Sequence, residues 1–393
     1  MVSYNDLTER WIQQYCVGMG EELRPSALTH FKLAHKRHAG VIKVQAYNPT
    51  QGVEGWEVTH TIVDVICDDL PFLADSISME INKQNLTVLE LHQIVISVQR
   101  DAQGLIVAVL DHKDVTCQHE AILRLRITRQ TKDVVLNQLE AGLKRILTDV
   151  QITVSDWQPM QKAMAKTRAE IKQDKNFAEY TEITSFLDWL IDHHFTFLGY
   201  CAMDAQGNVD TALGILRQPE MPLHDIFAGI DHRKETIPQL LIITKANAHS
   251  TVHRPVDMDL IIIRRFDETG AIVGEHRFLG LYGSRAYNCL PENIPVVRQT
   301  IYQVIKKASL VPASHAARAL QHVLDTYPRD ELFQIDSTDL YRISSGILKL
   351  KERQEPKLFL RQDLYGRFVT CLVFIPRERY TTHIRQHIQK ILR

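Results

Sequence analysis

The sequence predicts an α+β protein with more than one domain, built on antiparallel sheets. A chain of 393 residues has room for about two to four domains. Two separate blocks each combine strands rich in β-branched residues with helices of 3.6-residue periodicity. The regular alternation of strand and helix that is typical of a doubly wound parallel sheet is missing. We therefore expect two mixed domains, joined and flanked by helical segments.

The first block starts with helices and then enters a strand. Residues 1–39 carry apolar side chains at roughly helical spacing and are predicted to form a helical arm. Residues 40–47 predict an additional strand, and residues 57–67, EVTHTIVDVIC, predict the next because valine, isoleucine and threonine favour strands. A helix is expected in residues 71–84, where apolar side chains recur every four positions.

Three more strands and a second helix are expected to complete this block. The strands are predicted in residues 86–99, 104–110 and 121–130, and the helix in 131–150. In the last strand, apolar side chains alternate with Arg124, Arg126 and Thr128, so we expect one of its faces to lie in water. Antiparallel strands with helices on one face form a two-layer sandwich.

The second block predicts a helix, five strands and a closing helix. The helices are expected in residues 182–194 and 294–308, and the strands in residues 195–203, 208–216, 240–246, 258–266 and 272–282. A helical connector follows, and residues 357–393 predict strand, strand and helix. Because two strands and one helix rarely form a stable domain alone, we expect the chain to be part of a longer protein.

Charge and cysteine content argue against several classes of partner and site. The 46 basic and 47 acidic side chains give a net charge of -1, so no overall field attracts nucleic acid or an anionic membrane, and we expect neither partner. The six cysteines show no C-x-x-C spacing, which predicts reduced thiols. The sequence contains neither a secretory signal nor an apolar run of roughly 18 residues, so a cytoplasmic location is the simplest prediction.

The sequence contains no motif of a catalytic, cofactor or metal site. The G-x-G-x-x-G and G-x-x-x-x-G-K-[ST] fingerprints are missing, and no glycine-flanked nucleophile is present. The glycines of residues 17–22 and 280–288 favour turns over phosphate binding. His249 and His253 are four residues apart but have no third ligand in view, and the neighbouring His193 and His194 are expected at a helix end. We therefore expect no catalytic, cofactor-binding or metal-binding residue in this segment.

Two carboxylates precede the first predicted sheet-packed helix, in the stretch CDDLPFLADSISME from Cys67 to Glu80. Asp68 or Asp69 is well placed to cap the helix, and its negative charge would interact favourably with the helix dipole. Alternatively, the loop offers carboxylates to a ligand ammonium and helix-end amides to a ligand carboxylate, which is how an amino acid would be held. On that alternative, the candidate effector-binding residues are Asp68, Asp69 and Ser76.

Five ordered motifs resemble the N-terminal region of the large bacterial NAD-specific glutamate dehydrogenases. They lie in residues 68–88, 195–200, 252–282, 327–335 and 366–380. The resemblance implies a whole enzyme of amino-acid catabolism that converts L-glutamate, NAD and water to 2-oxoglutarate, ammonia and NADH. It also implies that NAD and the catalytic residues belong to a domain outside this segment, so that no cofactor is expected here.

In that family the N-terminal region carries domains of regulation and assembly. The implied division is a helical arm, an ACT-like (ferredoxin-like) domain, a PAS-like domain, a helical connector and the start of a second ACT-like domain, in residues 1–39, 40–155, 156–310, 311–356 and 357–393. The implied partners are further copies of the chain and an amino-acid effector. Phe72 stands where the ACT ligand loop commonly has glycine, which removes the close backbone approach that glycine permits. A stand-alone amino-acid sensor is the alternative function.

Overall fold

The chain divides into two compact units, each with its own sheet. The computed structural model describes residues 4–110, 117–171, 180–218, 222–230, 239–350 and 355–392. The first unit comprises Met1–Trp157 together with His249–Val256, and the second comprises Gln158–Ala248 and Asp257–Arg393. The short segment 249–256 therefore belongs to the first unit, although it connects two strands of the second.

The first unit is an antiparallel sheet packed against helices. The helices are α1 (Tyr4–Met19), α2 (Arg24–Ala34), α3 (Leu73–Lys83) and α4 (Asp133–Ser155). The strands are β1 (Lys43–Tyr47), β2 (Thr61–Asp68), β3 (Val88–Arg100), β4 (Ile106–Leu110) and β5 (Gln118–Ile127). Their order in the sheet is β1-β2-β5-β3-β4, and neighbouring strands are antiparallel. The predicted series of strand, helix, three strands and helix is confirmed.

Helices cover both faces of this sheet. Side chains of α1 and α2, among them Trp11 and Phe31, form one core with Ile66 of β2 and Ile122 of β5. Alternate residues of a strand face opposite sides, so the buried Val65 points away from that core, to the side where α3 and α4 pack on each other and on the sheet. The N-terminal helices are thus a third layer, which the expected two-layer sandwich lacks.

The third layer buries charged side chains that alternate along the strands. Arg124 is 1% exposed, and its Nε donates to Asp64 Oδ1 at 2.6 Å. Tyr47 donates its hydroxyl to the other oxygen of Asp64 at 2.9 Å. The guanidinium also lies over the rings of Tyr15 and Trp56, 5.8 and 5.5 Å from their centroids. The prediction of a strand face in water is wrong at Arg124, because α1 and α2 cover that face and Asp64 neutralises the charge.

His30 of α2 makes the first unit sensitive to acid. Its ring is fully buried, with Nδ1 3.6 Å from Asp64 Oδ1, and burial lowers its pKa from 6.5 to about 4. An unfolded chain binds the proton near pH 6.5. Between pH 6.5 and 4 the unfolded state therefore holds more protons than the folded state, and the free energy of unfolding falls with falling pH by up to ~3 kcal/mol.

We expect His30→Gln to remove this part of the pH dependence. Denaturant unfolding of the first unit, followed between pH 7 and 4, measures it. His224→Gln is the matched control because that side chain is exposed, and it should keep the full slope. An unchanged slope in His30→Gln would contradict the assignment.

The second unit is a second antiparallel sheet packed against helices. Its strands are β6 (Phe195–Asp204), β7 (Val209–Gly214), β8 (Leu241–His249), β9 (Asp257–Phe266) and β10 (Ile272–Tyr282). The sheet order is β7-β6-β10-β9-β8. Strand β6 pairs antiparallel with β7 and with β10, and β10 pairs antiparallel with β9. All five strands predicted from the sequence are present. The sheet is preceded by α5 (Trp157–Glu170) and α6 (Tyr180–Trp189) and is followed by further helices.

The helices after the sheet share its core. They are α8 (Ser284–Asn288), α9 (Val297–Ala308), α10 (His315–Asp325), α11 (Arg329–Leu332) and α12 (Ser337–Leu350), whereas the short α7 (Leu223–Ile226) lies between β7 and β8. Phe186 of α6, Phe278 of β10 and Leu340 of α12 belong to one buried cluster. The chain then forms β11 (Lys357–Gln362), β12 (Val369–Phe374) and α13 (Thr382–Leu392), as predicted. Within the described ranges, no helix is both long and apolar enough to span a membrane.

Candidate functional site

The corner between β2 and α3 holds the residues that the sequence singled out. Strand β2 ends at Asp68 and α3 begins at Leu73, directly after Phe72. Phe72 is the N-cap residue, and no side chain caps this helix end. The prediction that Asp68 or Asp69 caps α3 is therefore wrong: the Leu70–Pro71 turn intervenes, and Asp68 still belongs to the strand.

Phe72 keeps the backbone geometry of a glycine. Its φ of 70° and ψ of 5° lie in the left-handed region, which glycine enters freely and other residues enter at a cost of roughly 1–2 kcal/mol. Its carbonyl accepts the Ser76 N–H at 3.0 Å and so closes the first turn of α3. An aromatic residue thus adopts here a backbone conformation that suits glycine best.

Asp68 is engaged by the protein itself. Its Oδ1 accepts from Arg37 Nη2 at 2.7 Å, and its Oδ2 accepts the Gly40 N–H at 3.0 Å. Arg37 is buried and also donates to Glu120 Oε1, at 2.7 Å through Nη2. Burial acts to lower the pKa of Arg37, but the bonds to Glu120 and Asp68 outweigh it and raise the pKa. Asp68 therefore serves as a structural counter-ion.

A second arginine shares Glu120. Arg100 donates to both Glu120 oxygens, at 2.7 Å from Nε and 2.8 Å from Nη2, and its remaining donors meet backbone carbonyls of Ala34, His35 and Gly104. Arg37 and Arg100 are therefore buried cations that pair with two carboxylates, those of Asp68 and Glu120. The hydrogen bonds of Arg100 to backbone carbonyls also join the end of α2 to the sheet. Buried charges of this kind persist only when they are paired and hydrogen-bonded.

Ser76 contacts segment 249–256 within the first unit. Its side chain is buried, and its Oγ accepts the His253 N–H at 3.1 Å. The His253 ring lies 4.9 Å from the Phe72 ring, centroid to centroid, and its Nδ1 is 3.1 Å from Asp75 Oδ2. His253 itself has a left-handed φ of 70°. The first turn of α3 is therefore covered by this segment of the same chain.

Asp69 differs from its two companions. Its side chain is exposed, and its N–H donates to the His119 carbonyl at 3.0 Å, which joins the corner to β5. The structure thus brings Asp68, Asp69 and Ser76 to one corner. Of the three, Asp69 has the carboxylate that faces solvent, whereas Asp68 and Ser76 accept hydrogen bonds from Arg37 and His253.

The other sequence candidates lie in turns and helix ends. His194 Nδ1 is 2.8 Å from the Trp189 carbonyl, and its ring stacks on Trp189 at 4.2 Å. Gly20 follows the end of α1, with a φ of 111° that suits glycine. Among the residues that the structure describes, no group of three or more His, Cys, Asp or Glu side chains could hold a metal ion.

Three models of glutamate dehydrogenase domains match the chain in succession. They are the ACT1 domain at residues 19–143, helical motif 1 at 294–353 and the ACT2 domain at 357–393. The NAD-specific glutamate dehydrogenase of Halomonas elongata is 35% identical over 373 residues, which cover 89% of this chain and 23% of that protein. The chain belongs to the N-terminal region of the NAD-specific glutamate dehydrogenases. The resemblance carried by the five motifs is thereby confirmed.

Other relatives of this glutamate dehydrogenase region bear the same name. That of Pseudomonas aeruginosa is 33% identical over an alignment of 416 residues. The alignment covers all of this chain and 25% of the relative. That of Mycobacterium tuberculosis is 26% identical over 382 residues, with 94% of this chain and 23% of the relative covered. The chain thus spans about a quarter of the length of the curated relatives it matches.

Sequence reasoning missed several residues that build the corner. Arg37, Arg100 and Glu120 form its buried charge network, and His253 covers α3. The alternation of charged and apolar residues in β5 was a usable signal, since a charge in a strand with both faces covered needs a buried partner. The contact between segment 249–256 and α3 has no comparable signal in the sequence, because Ser76 and His253 are 177 residues apart.

Proposed function

We propose that this chain is the non-catalytic regulatory and oligomerisation region of an NAD-dependent glutamate dehydrogenase. The single observation that carries the proposal is the ordered match to the ACT1, helical motif 1 and ACT2 models of that enzyme. The whole protein would oxidise L-glutamate with NAD to 2-oxoglutarate and ammonia. Because the chain spans about a quarter of its relatives, the NAD site and the catalytic residues would lie in the remaining part.

We expect the purified chain to reduce no NAD in the presence of L-glutamate. The appearance of NADH absorbance is the measurement, and the whole protein from the same gene is the positive control. Turnover by residues 1–393 alone would overturn the proposal, since the chemistry would then lie within this segment.

Residues 156–310, which contain the five-stranded sheet of the second unit, are proposed to be the PAS-like domain of this region. A five-stranded antiparallel sheet with order β7-β6-β10-β9-β8, covered by helices, supports that assignment. The alternative function, a stand-alone sensor that binds an amino acid at the β2–α3 corner, has weaker support. Asp68 and Ser76 already accept hydrogen bonds from Arg37 and His253, so a ligand would have to displace both.

Self-association is the second part of the proposal, together with a cytoplasmic location. In the first unit, the edge strands are partly closed, because the Ala46 N–H donates to Glu140 and Gln14 donates to the Leu110 carbonyl. Such bonds discourage uncontrolled edge pairing, so assembly would use a defined surface. We expect light scattering to find a homo-oligomer; a strict monomer at high concentration would contradict this.

A further inference from the structure

The second unit contains a cavity between the end of α5 and the hairpin of β9 and β10. Its volume is about 510 Å³, enough for a small organic ligand. Apolar side chains form much of its wall, namely Ile171, Leu240, Ile263, Phe266 and Val273. Seven polar side chains also line it: Thr167 and Glu170 of α5, Arg264 and Arg265 of β9, Asp267 and Glu268 of the turn that follows, and His276 of β10.

Two polar groups on this wall have donors without partners. Thr167 is 1% exposed, and within the described residues its hydroxyl has no hydrogen-bond partner. The Nε of Arg265 is likewise buried and unpaired, although its Nη2 donates to the Met203 carbonyl at 2.9 Å. Buried polar atoms are nearly always satisfied in folded proteins, so the pair points to a polar ligand.

Glu170 is held on the same wall by a chain of side chains. The Tyr200 hydroxyl is 2.9 Å from His276 Nδ1, and His276 Nε2 is 3.2 Å from Glu170 Oε2. When the tyrosine donates to Nδ1, the proton of the neutral ring sits on Nε2 and is donated to Glu170. The chain therefore fixes the carboxylate while leaving it oxygen lone pairs for a further donor.

Of the other charged side chains around the cavity, Arg264 and Asp267 are already hydrogen-bonded, and Glu268 is exposed. Arg264 Nε lies 3.3 Å from Glu275 Oε1. Asp267 Oδ1 accepts the N–H groups of Thr269 and Ala271 in the turn that follows β9. Arg265 Nη2 lies 3.8 Å from Asp210 Oδ2, and Glu170 Oε1 lies 3.7 Å from Lys166 Nζ. Both ion pairs are long and exposed, and such pairs contribute little, so a ligand beside the apolar wall displaces them at small cost.

A second cavity in this unit lacks that combination. It measures about 740 Å³ and is lined by Glu275 and Arg277, among others. These two side chains pair with each other, at 2.7 Å from Arg277 Nη2 to Glu275 Oε2. Within the described part of the chain, the buried polar atoms without partners include none from its lining. The smaller cavity is therefore the better candidate.

We propose that the smaller cavity binds an apolar α-amino acid. Arg265 and Thr167 donate to its carboxylate, Glu170 accepts from its ammonium, and its side chain packs on Ile263 and Phe266. This proposal deepens the proposed function by naming the class of regulator. It rests on that function only for the conclusion that binding regulates the enzyme. The binding itself is a property of the chain and needs neither NAD nor glutamate turnover.

Isothermal titration calorimetry of the 393-residue chain tests the proposal. The probes are L-leucine and L-phenylalanine, each compared with the analogue that lacks its ammonium and the analogue that lacks its carboxylate. At least one amino acid should give a saturable heat, and each of its two analogues should bind about 10-fold more weakly or worse, because each loses a charge-assisted hydrogen bond. No saturable heat with either amino acid, or equal binding of the amine analogue, overturns the proposal.

Variants locate the binding. Arg265→Gln should weaken it about 10-fold or more and Thr167→Val about 3- to 10-fold, whereas Thr167→Ser, which keeps the hydroxyl, should restore it. Arg342→Gln and Thr148→Val are the matched controls, because these side chains lie outside the cavity lining and Thr148 bonds the Lys144 carbonyl. Circular dichroism confirms that each variant is folded. Unchanged affinity in both cavity variants would overturn the site, while NAD reduction by the chain would overturn the proposed function alone.

Discussion

Replacing Arg124 with leucine is expected to lower the free energy of unfolding of the first unit by about 3–5 kcal/mol. The variant leaves Asp64 buried without its guanidinium, and an unpaired buried charge is far more costly than an intact pair is stabilising. Arg124 itself holds the pKa of Asp64 below its usual range against the opposing effect of burial. Denaturant unfolding, with hydrogen exchange of peptides from β2 and β5, measures the first unit separately.

Arg126→Leu is the matched control two residues along the same strand. The Arg126 side chain is 29% exposed and pairs at 3.0 Å with Glu90, whose side chain is 46% exposed. Exposed pairs contribute about 1 kcal/mol or less, so this variant should stay within that range. The double variant Asp64→Leu/Arg124→Leu should recover much of the loss, because no unpaired charge remains. Equal effects of Arg124→Leu and Arg126→Leu would contradict the buried pair.

Replacing Trp11 with alanine is expected to destabilise the first unit by about 3–5 kcal/mol, the usual cost of removing a large buried aromatic side chain. Trp11 of α1 is 0% exposed. It stacks on Tyr15 at 5.1 Å and meets Phe31 at 5.5 Å, both between ring centroids. The cavity left by alanine would open between the helices and the sheet they cover.

Trp157→Ala provides the comparison because Trp157 is 40% exposed. Surface substitutions of this kind usually change stability by about 0.5 kcal/mol. Thermal unfolding of both variants in one buffer gives the contrast. If Trp11→Ala were as mild as Trp157→Ala, α1 would be a loosely attached arm and not a layer of the core.

The strands were predictable because their signal is local. Apolar side chains at Leu123 and Leu125 alternate with arginines along β5, and β-branched residues fill β2, so segment type follows from neighbours in the sequence. Neighbouring residues do not determine which elements cover each face of a strand. Asp64 and Arg124 are 60 residues apart, and an alternating arginine is read as solvent-facing until its partner and its covering helices are known.

The candidate site was predictable to a similar extent. The turn from strand to helix at Asp68–Leu73 follows from Pro71 and from the apolar periodicity beyond it. The left-handed Phe72 and the engagement of Asp68 by Arg37 depend on backbone closure and on a distant buried cation. A carboxylate before a helix has several possible partners, and the sequence alone does not choose among them.

Segment 249–256 matters for anyone who studies this region in pieces. A recombinant ACT domain cut after Trp157 would lack His253, so the Ser76 hydroxyl would lose its donor and the Phe72 ring its aromatic neighbour. Ligand binding measured on such a piece would describe a corner that the intact chain keeps covered. Domain boundaries chosen from the linear sequence would therefore expose a corner that resembles a ligand-binding site. A binding study of the first unit should include residues 249–256.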